Sequence, residues 1–382
     1  MTTKHKKIAY ITGTRADFGL ITPVLRAVEK SPKLSLQLYV TGMHLMPEFG
    51  STKKEVQKLF PKAKIIPAVF ADDSRAAMAR FCASFLPKIT KAFEEDRPDF
   101  VLLLGDRPDM LCVATACLYL GIPTGHFHGG EVSATVDGIT RHALTKIASL
   151  HFPATKKSAA NILRMGEEKW RIMHFGSPAL DDILDTPLPT RRTLFEELGI
   201  PYIAGDFILF AQHPYFEGGE SIRTQITESL EALASFDLPV VAIYPNADPG
   251  GREIIRALEQ KKNDPRFHLF RNVSHVQYLA LEREAGAMVG NSSSGLIEAI
   301  AFKTPVVSVG KRQLGRERGD NVIEVPGSRK HIRRAIEKSL YDPAYITKLR
   351  RAQNPWGKGG VGKRVVTILE KLRIDEKLLV KR

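Results

Sequence analysis

At 382 residues the chain is long enough for about two domains of ordinary size and two substantial cores. Its 43% hydrophobic and 26% charged residues describe a soluble globular protein, and no run of roughly 18 apolar residues offers a membrane span. The net charge of +14 is scattered, without an aromatic-interleaved basic stripe, a zinc finger or an RNA-binding signature. It therefore reads as a solvated basic surface with a few anion-binding arginines, with no nucleic-acid and no membrane partner.

The N-terminus, MTTKHKKIAYITG, starts basic and runs at once into a strand-like segment. It lacks the long apolar region and small-residue cleavage site of a signal peptide. Three cysteines, Cys82, Cys112 and Cys117, are too few for a disulfide scaffold, and a reduced, cytoplasmic setting is expected.

Short apolar runs then alternate with helix-period segments. IAYITG, LQLYVTG, FVLLLGD, IPTGHFH and RIMHFG read as strands, and 73–95 and 107–120 as helices. A proline-bearing polar segment at 185–206 reads as a linker. The alternation restarts with FILFAQHP, VVAIYPN, FHLFRN, AMVGN, TPVVSVG and VIEVP, and the tail reads as an amphipathic helix. The expected fold is α/β: two doubly wound Rossmann-like domains, residues 1–185 and 186–360. Residues 361–382 form a helix expected to pack back on the first domain. Ligands of such sheets bind outside the carboxyl ends of the strands. Polar motifs sit at five of those ends, which points to a cleft faced by both domains.

In GTRADFG, Arg15 stands at a strand-to-helix turn where it can meet an anion. In GDRPD, Asp106 either caps the next helix or orients a ligand beside Arg107. HFHGGEVSATVDGITRHALTK admits a metal site, a proton-transfer site or a crowded polar loop. His126 and His128, with Glu131, Asp137 or His142, could reach a metal from a strand end, yet they form no recognised ligand pattern. No metal is assigned. Proton transfer needs a histidine near neutrality and carboxylates to orient it, which His128 and its neighbours supply. His126 reads as a buried, satisfied histidine and His142 as a structural residue of its helix. Gly129 and Gly130 would let the backbone approach a ligand.

GNSSSGLIEAIAFKTPVVSVG turns at Gly290 and opens a helix with serines. Ser292 and Ser293 there suit a phosphate, Glu298 one turn on suits ribose hydroxyls, and Arg312 suits the same diphosphate. GKGGVGKR imitates a phosphate loop, but Arg364 stands where the magnesium-binding hydroxyl belongs and no strand precedes it.

Taken together, GTRAD, GDRPD, HGGEVSATVDGITRHALTK, HP, PNADPG and GNSSSGLIEAIAFKTPVVSVGKRQLGRERGDNV resemble the hydrolysing UDP-N-acetylglucosamine 2-epimerases, in order from residue 13 to about 322. The resemblance implies a fold similar to glycosyltransferases of the two-Rossmann-domain type, a UDP-sugar as partner, a homodimer, and conversion of UDP-N-acetylglucosamine and water into N-acetylmannosamine and UDP. It implies nucleotide contacts for Arg15, His213, Ser292, Ser293, Glu298 and Arg312, with Arg107 lining the same cleft. Asp106, Asp137 and Arg141 fall on catalytic or sugar-side positions, and His128, Glu131 and His213 complete the catalytic candidates. Many members read H-x-E-G-G-E where this chain reads H-F-H-G-G-E, so His128 takes the slot of an acid/base glutamate.

The chemistry implied calls for no redox cofactor, and arginines replace a metal. Competing expectations are a 2,4-diacetamido-trideoxy UDP-sugar as substrate, a non-hydrolysing epimerase, a metal-dependent hydrolase using His126, His128 and Asp137, and a non-catalytic nucleotide-sugar binder.

Overall fold

A computed structural model describes residues 5–216 and 219–381, so Lys4 of the basic N-terminus lies outside the described residues. The chain forms two compact units. The first comprises Met1–Val132, Val136–Leu184 and Trp356–Arg382, and the second Ser133–Thr135 and Asp185–Pro355.

The first unit carries strands β1 (Lys6–Thr12), β2 (Leu34–Val40), β3 (Lys64–Ile65), β4 (Phe100–Leu104), β5 (Thr124–Phe127) and β6 (Leu150–Phe152). They form one parallel sheet in the order β3-β2-β1-β4-β5-β6. The FVLLL run of β4 is buried at every position because helices cover both faces, which is why it is continuously apolar rather than alternating. The helix Arg15–Lys30 starts from a capping box in which Thr14 and Asp17 satisfy each other's backbone amides. The C-terminal helix Val361–Lys371 packs against it, so closely that a Cβ on Gly362 would lie 2.9 Å from the Pro23 carbonyl oxygen.

The second unit repeats the design with β7 (Ile208–Ala211), β8 (Val240–Ile243), β9 (Phe267–Phe270), β10 (Ala287–Gly290), β11 (Val306–Val309) and β12 (Val322–Val325). Their order is β12-β11-β10-β7-β8-β9, again parallel. One apolar cluster gathers around Phe210, Ile226, Leu258 and Ile336, and a second around Leu194, Leu209, Leu281 and Met288. Successive β7 residues feed the two clusters in turn, as the pleat requires.

One local expectation fails. RIMHFG is not a strand: Lys169–Arg171 is a 3-10 turn, and Ile172 makes only a single bridge to His151. The strand at that edge is the three-residue β6, followed at once by Pro153, too short to leave a period. β3 is shorter still, at two residues. The linker segment contains a helix, Arg191–Leu198, capped by Thr190 and closed by Gly199 in the left-handed conformation.

Candidate active site

In a doubly wound sheet the connections leave in opposite directions at one point, opening a crevice at the carboxyl ends of two neighbouring strands. The first unit reverses between β1 and β4, whose ends run into Gly13–Thr14–Arg15 and Gly105–Asp106–Arg107. The second reverses between β7 and β10, whose ends run into Gln212–His213 and Asn291–Ser292.

At the first reversal four predicted residues form a continuous hydrogen-bonded chain. The helix Val136–Ile147 buries Gly138, Arg141, Leu144 and Thr145 on one face, which carries the Arg141 side chain inward. Arg141 donates through Nη1 to Glu131 Oε2 at 3.1 Å and through Nη2 to Asp106 Oδ2. Glu131 Oε1 in turn lies 2.5 Å from His128 Nδ1. Burial works against the Arg141 charge, but Asp106 and Glu131 more than offset it and raise its pKa. Asp137, one turn before Arg141, adds to the same field. Removing either side of such a buried pairing leaves an uncompensated charge.

His128 occupies the left-handed region at φ 59, which costs a non-glycine residue about 1–3 kcal/mol and persists only where the surroundings over-determine it. Glu131, Ser177 and Trp356 do so: Ser177 Oγ lies 3.2 Å from His128 Nε2, and the Trp356 ring sits 6.1 Å away. The two glycines that follow serve packing. A Cβ on Gly129 would lie 2.8 Å from His126 Nδ1, and one on Gly130 only 2.3 Å from the Ser158 carbonyl oxygen. Protein atoms fill the space where their side chains would stand. His126 is fully buried, with Nε2 2.7 Å from the Gly105 carbonyl oxygen, and burial pulls its pKa down to about 3. His142 is exposed on its helix. Among the described residues no group of three or more His, Cys, Asp or Glu is disposed to hold a metal ion.

Arg107 places Nε 3.5 Å from Asp109 Oδ1. Asp109 is 1% exposed, and burial pushes its pKa up to about 6 against the pull of Arg107. Gly13 must be glycine here, because its Cβ would come within 2.4 Å of Asp109 Oδ2. Arg15 opens its helix at the same sheet end, half-buried.

The GKGGVGKR segment has a different use from a phosphate loop. The amides of Val361 and Gly362, at the start of the last long helix, donate to Asp181 Oδ1 and Oδ2 at 3.0 and 2.8 Å. An internal carboxylate thus stands where a phosphate would.

In the second unit Asn291 ties both strand ends together. Its Oδ1 accepts from the His213 amide at 2.6 Å, and its Nδ2 donates to the His213 carbonyl at 2.8 Å. Arg312 Nη1 and Gln313 Nε2 both donate to the Asn291 carbonyl, at 3.0 and 2.9 Å. Gly290 has φ 135, and a Cβ there would lie 2.0 Å from the Ala211 carbonyl oxygen, so only glycine lets β10 turn against β7. His275 Nε2 lies 3.0 Å from Glu298 Oε1, and the hydroxyls of Ser292 and Ser294 are 3.0 Å apart.

The expected serine-capped helix is corrected by this geometry. Ser294–Ile297 and Ala299–Phe302 are separate single turns meeting at Glu298, and Ser293 makes no side-chain cap bond. The Ser292 hydroxyl instead accepts from the Ser294 amide at 3.4 Å and pairs with the Ser294 hydroxyl, which also meets Tyr278 Oη at 2.8 Å.

The first reversal therefore gathers Asp106, His128, Glu131 and Arg141, with Asp137 on the same helix and Arg15 and Arg107 at the adjoining strand ends. The second gathers His213, Gly290, Ser292, Ser293, Glu298 and Arg312. Sequence reasoning missed Asp109, Ser177, Asn291 and Trp356. Asp109 and Asn291 lie inside quoted motifs, whereas Ser177 and Trp356 reach His128 through contacts that leave no local signal.

Residues 26–370 match the family described as UDP-N-acetylglucosamine 2-epimerase. The chain is 35% identical over 377 residues, 98% of each chain, to the UDP-N,N'-diacetylbacillosamine 2-epimerase (hydrolyzing) of Legionella pneumophila. It is 32% identical over 335 residues, 87% of each chain, to a UDP-N-acetylglucosamine 2-epimerase of Neisseria meningitidis serogroup B. The solved structure of Methanocaldococcus jannaschii UDP-GlcNAc 2-epimerase in complex with UDP-GlcNAc and UDP shares the fold. Its TM-score is 0.77 at 21% identity, covering 96% of this chain and 100% of that one.

Proposed function

The chain belongs to the UDP-N-acetylglucosamine 2-epimerase family, and we propose that it is a hydrolysing member acting on a UDP-2-acetamido sugar. The observation that carries the reading is the buried chain Asp106–Arg141–Glu131–His128 at the reversal of the first sheet. It supplies a histidine backed by a carboxylate whose charge is held by an arginine, the equipment of proton transfer.

The hydrogen at carbon 2 of such a sugar is not acidic, since that carbon bears no carbonyl. It becomes removable as the bond from carbon 1 to the diphosphate breaks and positive charge develops at carbon 1. The electron pair of the C2–H bond then forms a C1=C2 double bond, giving a glycal and UDP. Water adds hydroxide to carbon 1 while a proton returns to carbon 2 from the opposite face, so the products are the free 2-epimer and UDP. Inversion needs a proton group on each face, and His128 and Asp137 are the two candidates, with Asp106 tuning the pair. Arg15, Arg107, His213, Ser292, Ser293 and Arg312 are assigned to the diphosphate, where preorganised charge favours departure. Glu298 is assigned to the ribose.

UDP-N-acetylglucosamine is the first substrate reading. A second, UDP-N,N'-diacetylbacillosamine, is favoured by the Legionella relative, which carries that name at the higher identity and coverage of the two. Incubating the purified protein with each nucleotide sugar, with UDP release and sugar identity followed together, tests both. The reading expects UDP and an equal amount of free 2-epimer from one of them. No UDP from either, or a product still linked to UDP, would overturn it.

A further inference from the structure

Both ring nitrogens of His128 face protein groups. Nδ1 meets Glu131 Oε1 at 2.5 Å, and Nε2 meets Ser177 Oγ at 3.2 Å. Ser177 is fully buried and stands 49 residues along the chain, so its approach is a product of the fold. The turn that bears it is locked from a third place. The Ser177 amide donates to the Trp356 carbonyl at 2.8 Å, and Gly176 adopts φ 97, where a Cβ would lie 2.7 Å from that same oxygen. Gly357 comes within 3.0 Å of Gly176 Cα when given a Cβ, and Asp181 clamps the start of the next helix. The glycine-rich segment that imitates a phosphate loop thus presses Ser177 onto His128.

We propose that Ser177 is the hydroxyl through which His128 exchanges its proton, completing a Glu131–His128–Ser177 array. Carboxylate, imidazole and hydroxyl stand in the order that activates a hydroxyl: the carboxylate takes Nδ1–H, and Nε2 is left to draw the hydroxyl proton. The proposal rests on the epimerase reading above. In that reaction the C2 proton passes to Ser177 Oγ as the Ser177 proton passes to His128 Nε2, the C2–H electron pair becomes the C1=C2 bond, and UDP leaves with its own pair. The new imidazolium charge is met by Glu131. Ser177 is thus the relay that meets carbon 2, and His128 is the base that acts through it. The charged groups set around the ring are Glu131, from the same turn, and Arg141 and Asp106 behind it; Ser177 and Trp356 are uncharged.

The test compares Ser177→Ala, Ser177→Thr, His128→Ala and the Ser177→Ala/His128→Ala double variant in kcat, KM and thermal melting. Ser177→Ala is expected to lower kcat by roughly 10²-fold or more with KM nearly unchanged. The double variant should be no slower than the slower single one, because groups acting as a unit are not additive. Ser177→Thr should restore at least about tenfold, since the hydroxyl is retained. On the unaltered enzyme, a substrate deuterated at carbon 2 should slow the reaction, and heavy water should slow it further. The two effects report the C2 hydrogen and the Ser177 hydroxyl proton in flight together, and this measurement needs no variant to fold. Normal kcat in Ser177→Ala with an impaired His128→Ala, additive losses, or the absence of a heavy-water effect on the unaltered enzyme would each overturn the relay alone. Normal kcat in His128→Ala would overturn the assignment of His128 and the relay with it.

Discussion

Glu131 Oε1 lies 2.5 Å from His128 Nδ1, so the last residue of the HFHGGE turn folds back to grip the histidine three positions before it. The short H-G-G-E spacing permits this because His128 and Gly130 both take positive φ, 59 and 74. Glu131→Gln removes the charge that balances both the imidazolium and Arg141. It should lower kcat by roughly 10-fold or more, while Glu131→Asp, too short for both contacts, should fall in between. Steady-state kinetics on the preferred sugar checks the order.

Arg141 holds two carboxylates at 4% side-chain exposure, and its replacement by Met should cost about 3–5 kcal/mol of stability by leaving Glu131 and Asp106 without a counter-charge. Arg141→Lys keeps a charge but loses the planar fork that reaches both carboxylates, so it should recover stability better than kcat. Urea unfolding curves set beside kcat separate the two effects.

Asp109 gives the stability a pH signature. Burial raises its folded pKa to about 6, above the ordinary carboxylate value, so the folded chain holds the proton more tightly than the unfolded chain. That contribution is complete below the unfolded pKa and is lost as pH rises through 6. The loss is on the order of 3 kcal/mol. Asp109→Asn should therefore gain on the unaltered protein in melting temperature between pH 4 and pH 7. A difference independent of pH in that window would contradict the burial argument.

Gly290→Ala places a methyl 2.0 Å from the Ala211 carbonyl in a backbone region alanine avoids. Isothermal titration with UDP should show binding weakened about tenfold or more as the β10 turn shifts. Asn291→Ala, which loses the bonds to both His213 backbone groups, should do the same with less effect on melting.

Arg171 is 1% exposed and donates to the carbonyls of Lys377, Leu378 and Val380 as well as Ser149. Truncation before Glu376 strips three of those acceptors from a buried charge and exposes the Lys381–Glu167 pair's acid partner. The loss should exceed about 3 kcal/mol, read as a fall in melting temperature, because charged hydrogen bonds are individually strong.

Much of this was legible from residues in a row. Apolar runs such as FVLLL and AMV, followed by glycine turns, marked the central strands, and the polar motifs at their ends marked both sheet reversals. What escaped depends on distance or burial. β6 has three residues, and the apolar RIMHFG nearby offered a better-looking strand than the true one. Asp109 was passed over for Asp106 three motif positions earlier, since spacing does not tell a fully buried acid from a partly exposed one. Ser177 and Trp356 come to His128 from 49 residues away and from beyond the whole second unit. Gly129 and Gly130 suggested a close approach of the backbone to a ligand, and only the fold reveals the helix and histidine atoms packed where their side chains would stand.

The most direct test of the account is the reaction run in deuterated water, with the free sugar analysed by mass spectrometry and proton NMR. Elimination to a glycal followed by hydration predicts one deuterium at carbon 2 of every epimerised molecule, together with an equal amount of UDP. A product with protium at carbon 2 would contradict the elimination route and the proton-transfer role given to the His128 array.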